Sequence, residues 1–212
     1  MRVWILLLCG WLPGLAAADG ILVLGDSLGA GYGLEAEQGW VSLLDTRVAR
    51  VCDALPVHNA SVSGETTAGG RARLAPLLTR HEPELVILEL GGNDGLRGLP
   101  PARLQANLEA MIAASRDAGA RVLLVGIRIP PNYGAAYTRA FDAAFEQTVA
   151  ATEVAFVPFL LEGVALDDDL MQADGIHPTA AAQPRMLDNV WPELAPLLPA
   201  RCELDADSAG DD

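Results

Sequence analysis

Five short apolar runs, separated by longer stretches of helical periodicity, constrain the fold of this chain most strongly. Runs such as Leu85-Val86-Ile87-Leu88 are apolar without alternation, which is typical of strands buried on both faces. The stretches between them carry apolar residues every three or four positions, as amphipathic helices do. Strict alternation of strands and helices, joined by right-handed crossovers, predicts a parallel sheet covered by helices on both sides.

The pattern sets approximate bounds for each element. The predicted strands are Ile21 to Gly25, Pro56 to Asn59, Leu85 to Leu90, Val122 to Gly126 and Ala155 to Pro158. The predicted helices are Trp40 to Val51, Ala68 to Thr79, Pro101 to Asp117 and Tyr137 to Thr152. A last helix over Ala180 to Leu198 contains Pro184, Pro192 and Pro196, so we expect it to be broken or irregular.

The first 18 residues have the features of an export signal. Arg2 precedes an apolar stretch from Val3 to Leu15, and three alanines follow before Asp19. The competing interpretation, a lipidated Cys9, is disfavoured because the bulky Leu8 precedes it. We therefore predict a signal peptide over residues 1–18, a single domain over residues 19–200 and an acidic flexible tail over residues 201–212. The mature protein is expected in the periplasm or outside the cell.

The charge of the mature chain excludes several classes of partner. Without Arg2 the chain has 13 arginines against 28 acidic residues, a net charge of −15 with neutral histidines, and it contains no lysine. Such a surface repels nucleic acids and anionic membranes. We expect a monomer without stable membrane insertion, acting on a small-molecule or lipid substrate.

Two cysteines, Cys52 and Cys202, remain after removal of the predicted signal peptide. An oxidising compartment would permit a disulfide between them, and it would close a very long loop. Two buried free thiols are equally compatible with the sequence.

Four short segments carry the candidate chemistry. They are Gly25-Asp26-Ser27-Leu28, Ser63-Gly64-Glu65, Gly91-Gly92-Asn93-Asp94 and Asp174-Gly175-Ile176-His177-Pro178. Each of them follows a predicted strand. Because the carboxyl ends of parallel strands meet at one edge of a sheet, residues far apart in sequence are expected to converge there.

These segments supply the groups of a serine hydrolase. Ser27 is a hydroxyl nucleophile in a glycine-rich turn, and it requires a base to remove its proton. His177 is the candidate base, with Asp174 three residues earlier to hold one ring nitrogen and fix the tautomer. The backbone N–H groups of Ser27 and Gly64 and the side-chain amide of Asn93 are candidate donors to an oxyanion.

The four segments resemble the conserved blocks of the SGNH, or GDSL, hydrolase family, in particular the secreted bacterial acyl thioesterase/lysophospholipase/protease subgroup, also called arylesterases. The matching stretches are residues 59–66, 89–98, 131–134 and 171–178. The resemblance implies a three-layer α/β/α, flavodoxin-like fold with a five-stranded parallel sheet. It also implies Ser27, Asp174 and His177 as the triad, Gly64 and Asn93 as oxyanion partners, and no metal or other cofactor.

The resemblance further implies that Ile129 and Pro130 border the acyl chain of the substrate. It leaves the choice among aryl esters, lysophospholipids and acyl thioesters open. Because acyl-CoA is strongly anionic and is not expected outside the cytoplasm, we hypothesise that esters and lysophospholipids are the better substrates of this acidic, exported chain.

Two other interpretations are compatible with parts of the sequence. Gly25-Asp26-Ser27-Leu28-Gly29 also matches the Gly-x-Ser-x-Gly elbow of α/β-hydrolases, but only one predicted strand precedes Ser27. A non-catalytic secreted binding module could retain the same fold. It is disfavoured because every group expected for catalysis is present.

Overall fold

A computed structural model describes residues 20–52 and 55–202 of the chain. The predicted signal peptide over residues 1–18 lies outside the described residues. So does the predicted tail, except for Arg201 and Cys202. None of the described helices is both long and apolar enough to cross a bilayer.

The described elements alternate as the apolar pattern predicts. The strands are β1 (Ile21–Gly25), β2 (Val57–Asn59), β3 (Leu85–Glu89), β4 (Arg121–Val125) and β5 (Ala155–Val157). The α-helices are α1 (Trp40–Val51), α2 (Thr67–His81), α3 (Gly92–Leu96), α4 (Pro101–Asp117), α5 (Ala135–Thr152) and α6 (Gln183–Leu194). Three short 3-10 helices cover Pro131–Tyr133, Ala180–Ala182 and Ala195–Leu197.

The five strands form one parallel sheet in the order β2-β1-β3-β4-β5. All residues of β1 and β3 are buried, which explains their unbroken apolar character. Helix α1 packs against α6, while α4 packs against α2 and α5, so the helices form two groups, one for each face of the sheet. The predicted three-layer α/β/α fold and its five-stranded parallel sheet are confirmed.

The strand order determines where a site can form. The chain leaves β1 towards β2 on one side and later returns to β3 on the other side, so β1 and β3 are neighbours at a topological switch point. A crevice opens at the carboxyl ends of strands at such a point. Ser27 follows β1 there, and Asn93 follows β3.

Two predicted elements differ from the structure. The Gly91-Gly92-Asn93-Asp94 segment, where no helix was predicted, starts the five-residue helix α3 after Gly91 adopts a φ of 127°. The last helix is regular over the 12 residues of α6, because Pro184 lies in its first turn, where a missing N–H costs nothing, and Pro192 lies near its end. Its expected irregularity is limited to the 3-10 turns on either side.

Cys52 and Cys202 form a disulfide, which settles the question that the sequence left open. The bond connects the end of α1 to the last described residue, across a sequence separation of 150. Both cysteines are buried, with 8% of their surface exposed. In a chain-entropy description, a loop of this length stabilises the native state by about 5 kcal/mol at most, less any cost in the native state.

We expect the Cys52→Ser/Cys202→Ser double variant to unfold at a lower urea concentration than the native protein. The physical reason is that its unfolded chain is no longer constrained by the long loop, so the free energy of unfolding falls by up to about 5 kcal/mol. Dithiothreitol should lower the midpoint of the native protein to that of the variant and leave the variant unaffected. Equal midpoints for the oxidised native protein and the variant would contradict a stabilising bond.

Candidate active site

Ser27 lies in a tight turn directly after β1. The carbonyl of Asp26 accepts the amide of Ala30 at 2.9 Å, and the carbonyl of Ser27 accepts the amide of Tyr32 at 3.0 Å. These bonds close the turn and place the Ser27 side chain at the carboxyl edge of the sheet. Its Oγ lies 2.9 Å from Nε2 of His177, although the two residues are 150 positions apart in sequence.

A loop after β5 presents His177 in one orientation. Its Nδ1 lies 2.7 Å from Oδ2 of Asp174, while Oδ1 of Asp174 accepts the amides of Ile176 at 2.9 Å and His177 at 3.0 Å. The hydrogen bond from the His177 ring, with the two backbone amides, lowers the pKa of Asp174 to about 2. Asp174 is therefore ionised at neutral pH, and it holds the proton of the imidazole on Nδ1.

Gln172 connects the histidine loop to the serine turn. Its Nε2 donates to the carbonyls of Tyr32 and Pro178, both at 2.9 Å, and its backbone amide donates to the carbonyl of His177 at 2.7 Å. The Tyr32 ring also lies against the His177 ring, with 4.3 Å between their centroids. The imidazole is thus held from the loop that follows Ser27 as well as from its own loop.

A buried carboxylate supports the serine turn from beneath. Oε2 of Glu89, the last residue of β3, accepts the amide of Asp26 at 3.3 Å and that of Gly29 at 3.1 Å. A Cβ atom at Gly25 would lie 2.6 Å from this oxygen, and one at Gly29 would lie 2.4 Å from Oγ of Ser61. Gly25 therefore makes room for Glu89, which holds the turn, and Gly29 makes room for the Ser61 side chain.

Asp26 is a second buried carboxylate, and it connects the turn to Asn93. Its Oδ1 accepts the amide of Leu28 at 3.1 Å, and its Oδ2 accepts Nδ2 of Asn93 at 3.1 Å. Burial raises the pKa of Asp26 to about 6. Burial, together with the nearby charge of Asp26, raises the pKa of Glu89 well above its usual range.

Three donors near Ser27 remain available. In the part of the chain that the structure describes, the amides of Ser27 and Gly64 donate to no protein acceptor. Asn93 directs one side-chain N–H to Asp26, which leaves the other for a ligand. Gly64 adopts a φ of 81°, a conformation that favours glycine, and its carbonyl accepts Arg97 Nη2 at 2.9 Å.

A cavity of about 540 Å³ opens beside the Ser27 hydroxyl. Ser27, Asn93 and His177 line it, as do Ile129 and Pro130, whereas Gly64 does not. Most of the wall is apolar, formed by Leu28, Leu96, Ile127, Ile129, Pro130, Pro131, Phe159, Leu161, Ala165, Leu166, Met171 and Ile176. Within the described residues, no group of three or more histidine, cysteine or carboxylate side chains is arranged to bind a metal ion.

Several residues that shape the site were not predicted from the sequence. A glutamate that ends an otherwise apolar strand is a signal for Glu89, because an unpaired buried charge is costly. Asp26 stands beside the predicted nucleophile but was not given a role. The contacts of Gln172 and Tyr32 depend on how two loops meet, and no sequence pattern indicates them.

We expect Asp26→Asn to become more stable relative to the native protein as the pH rises from 4 to 8. Because the pKa of Asp26 is higher in the folded protein than in the unfolded chain, its contribution to stability is complete below about pH 4 and is lost as the pH rises through 6. Asparagine does not ionise and escapes this loss, which amounts to about 3 kcal/mol at most. Thermal unfolding across this pH range measures the difference.

The slope with pH separates ionisation of Asp26 from the loss of its contacts. Losing the hydrogen bonds to Leu28 and Asn93 would change stability by a similar amount at every pH, whereas losing a titrating group changes it progressively. A pH-independent difference between Asp26→Asn and the native protein would contradict the raised pKa.

Comparison with known proteins places the chain in one family. The model of the GDSL-like Lipase/Acylhydrolase family matches residues 23–184. Esterase TesA of Pseudomonas aeruginosa is 55% identical over 183 residues, which cover 86% of this chain and 91% of that protein. Thioesterase 1/protease 1/lysophospholipase L1 of Escherichia coli K12 is 43% identical over 183 residues, covering 86% of each chain.

The solved structures show the same relationship. A crystal structure of TesA is similar with a TM-score of 0.82 at 54% identity, and the match covers 85% of this chain and all of that one. The family resemblance of the four sequence motifs is confirmed. The chain belongs to the GDSL-like lipase/acylhydrolase family, the SGNH hydrolases, and it is an enzyme that hydrolyses carboxylic esters.

Proposed function

We propose that the protein is a serine esterase in which Ser27, His177 and Asp174 act as a catalytic triad. The observation that carries this proposal is a continuous chain of hydrogen bonds, from Ser27 Oγ to His177 Nε2 at 2.9 Å and from His177 Nδ1 to Asp174 Oδ2 at 2.7 Å. Ser27 and His177, at the start of this series of hydrogen bonds, line an apolar cavity. The arrangement fits acyl transfer to a serine hydroxyl.

The first step forms an acyl-enzyme. Ser27 Oγ attacks the carbonyl carbon of the ester while His177 Nε2 accepts the hydroxyl proton, and Asp174 stabilises the resulting imidazolium. The C–O bond to the leaving group then breaks, and His177 returns the proton to the leaving oxygen. The two products of this step are an alcohol and Ser27 acylated on Oγ.

The second step regenerates the enzyme. A water molecule attacks the acyl carbonyl, and His177 Nε2 accepts a proton from this water. When the bond to Ser27 Oγ breaks, the proton passes from His177 to Oγ, and the carboxylic acid leaves. Because His177 serves as base and then as acid in both steps, the restraints from Asp174 and Gln172 matter for each of them.

The negative charge on the carbonyl oxygen needs donors in both steps. The free amides of Ser27 and Gly64 and the second N–H of Asn93 are suited to this role. The Asp26 carboxylate fixes the Asn93 side chain, so this donor is already oriented before the substrate binds. Preorganised donors of this type account for a large part of the rate acceleration in many enzymes.

The cavity and the charge favour acyl or aryl esters and lysophospholipids as substrates. The apolar wall, with Ile129 and Pro130, would surround an acyl chain. The name of the Escherichia coli relative includes thioesterase and lysophospholipase activities. For the present chain, the acidic surface opposes the strongly anionic acyl-CoA.

The disulfide supports export of the protein, because such bonds persist in oxidising compartments. We include in the proposal a signal peptide over residues 1–18, a catalytic domain over residues 19–200 and a periplasmic or secreted location. All of the groups assigned to the reaction come from one chain, so a monomer suffices.

We expect Ser27→Ala to lose activity on a chain-length series of p-nitrophenyl esters. The loss in kcat should be on the order of 10⁶, because serine provides the nucleophile, and His177→Ala should lose a similar amount. Circular dichroism should show that both variants are folded. An organophosphonate should form an adduct on Ser27 of the native protein; an active enzyme with its adduct elsewhere would contradict the assignment, and absence of any adduct or activity would favour a binding module.

A second experiment tests the substrate class. A zwitterionic lysophospholipid and an acyl-CoA of equal chain length are compared at several salt concentrations. We expect the lysophospholipid to react faster, and the rate on acyl-CoA to rise with salt as the repulsion is screened. A preference for the thioester that persists at low salt would contradict the substrate proposal and leave the triad untouched.

We expect Asn93→Ala to lower kcat by about 10²–10³ with a smaller change in KM. The reason is that a donor to the developing oxyanion strengthens its bond only as charge accumulates in the transition state. Steady-state kinetics on a short p-nitrophenyl ester measure both constants. If KM rises while kcat stays the same, Asn93 binds the ground state instead.

A further inference from the structure

The exposed large apolar side chains of the described residues are concentrated around the catalytic cavity. Five of them are between 38% and 102% exposed: Tyr32, Val62, Tyr133, Leu166 and Ile176. We call these five residues the apolar rim. The side chain of Leu166 is fully exposed to solvent, and exposure of an apolar side chain does not stabilise the fold.

The topology places the whole apolar rim at one edge of the sheet. Tyr32 lies in the loop after β1, Val62 in the loop after β2 and Tyr133 in the loop after β4. Leu166 and Ile176 lie in the segment after β5. These loops leave the carboxyl ends of parallel strands, which is the edge that carries Ser27 and His177. Single exposed apolar residues are common, but their restriction to one edge is not.

Contacts connect the apolar rim to the cavity mouth. Leu166 and Ile176 line the cavity itself, and the Tyr32 ring lies against that of His177. On the other side, Tyr133 Oη donates to the carbonyl of Leu96, another lining residue, at 3.0 Å. The apolar wall of the cavity thus continues outward onto the surface.

We propose that the apolar rim docks the protein onto a zwitterionic lipid surface, with the cavity mouth facing the lipid. An acyl chain could then pass from the lipid surface into the cavity without exposing its apolar length to bulk water, which lowers the kinetic barrier to transfer. The inference rests on the proposed function in that it explains how a lipid ester would reach Ser27. Docking itself requires no chemistry and can be measured separately.

The charge around the apolar rim selects the type of surface. Exposed acidic residues lie in the same loops, at Glu35, Glu37, Glu162, Asp167, Asp168 and Asp169. Arg128, in the loop after β4, lies 3.8 Å from Glu162, and Arg97, at the end of α3, donates to the carbonyl of Gly64. An anionic leaflet attracts basic segments and repels acidic ones. A phosphocholine surface carries no net charge and leaves the apolar contact to determine binding.

The test measures sedimentation of the protein with vesicles, in the Ser27→Ala background so that the lipid is not consumed. Vesicles of phosphatidylcholine are compared with vesicles containing phosphatidylglycerol. We expect binding to phosphatidylcholine, and weaker binding as the anionic lipid is added. Salt should reduce the difference in binding between the two vesicle compositions, because it screens the repulsion between the acidic loops and the anionic lipid.

Two aspartate variants separate the apolar contact from the charge. Leu166→Asp and Ala113→Asp add the same charge, but Ala113 lies exposed on α4, outside the loops at the carboxyl edge. We expect Leu166→Asp to weaken binding about tenfold or more, as expected for the loss of a buried leucine, and Ala113→Asp to bind like the background protein. Leu166→Met should retain binding because it keeps an apolar side chain.

Three outcomes would overturn the proposal. They are no binding to phosphatidylcholine, stronger binding to the anionic vesicles, and equal binding of Leu166→Asp and Ala113→Asp. No lipid binding would leave a protein partner as the alternative occupant of the apolar rim. Activity of the protein with the native Ser27 on a water-soluble p-nitrophenyl ester is measured in parallel, so a failure of docking and a failure of the proposed esterase function give different results.

Discussion

The hydrogen bonds that the buried Glu89 carboxyl group accepts from the amides of Asp26 and Gly29 hold the turn of Ser27 on the sheet. Glu89 ends β3, the neighbour of β1 at the topological switch point, so one side chain connects the two strands that flank the crevice. This contact explains Gly25, where a Cβ atom would meet the carboxylate at 2.6 Å. The glycines around Ser27 therefore serve the packing beneath the turn as much as access of the substrate from above.

A second set of restraints brings the histidine loop to this turn. His177 comes from the far end of the domain, and its position depends on Asp174 within its own loop and on Gln172, which reaches the carbonyl of Tyr32. Since the bond from Gln172 ends five residues after Ser27, the loop and the turn form one hydrogen-bonded unit. The separation of 2.9 Å between Ser27 Oγ and His177 Nε2 results from the restraints on the serine turn together with those on the histidine loop.

The sequence predicted the strands to within about one residue. For β1 and β3 the reason is full burial on both faces, which leaves an unambiguous apolar signal, whereas β2 and β5 are partly exposed at the edges of the sheet. The sequence also indicated which motifs would converge, because each motif follows a predicted strand and the carboxyl ends of parallel strands lie at one edge of the sheet. The sequence marks Glu89 as unusual, but the partners of Glu89 and Gln172 could not be predicted, because they depend on strand register and on the approach of separate loops. Helix α3 was missed since two glycines predict a turn, whereas the amides of Gly95 and Arg97 bond back to Gly91 and Asn93.

Asp26 shows why a buried carboxylate can be retained beside the proposed nucleophile despite its cost. Ionised Asp26 can only accept hydrogen bonds, and the ones it accepts come from Leu28 in the turn and from Asn93 after β3. A neutral amide at this position would offer one acceptor oxygen and present N–H groups to one of these two donors. Because burial brings the pKa of Asp26 to about 6, the carboxylate is ionised above neutral pH, where it costs stability and orients Asn93. The stability lost by ionising this acid is thus coupled directly to the position of Asn93, the proposed oxyanion donor.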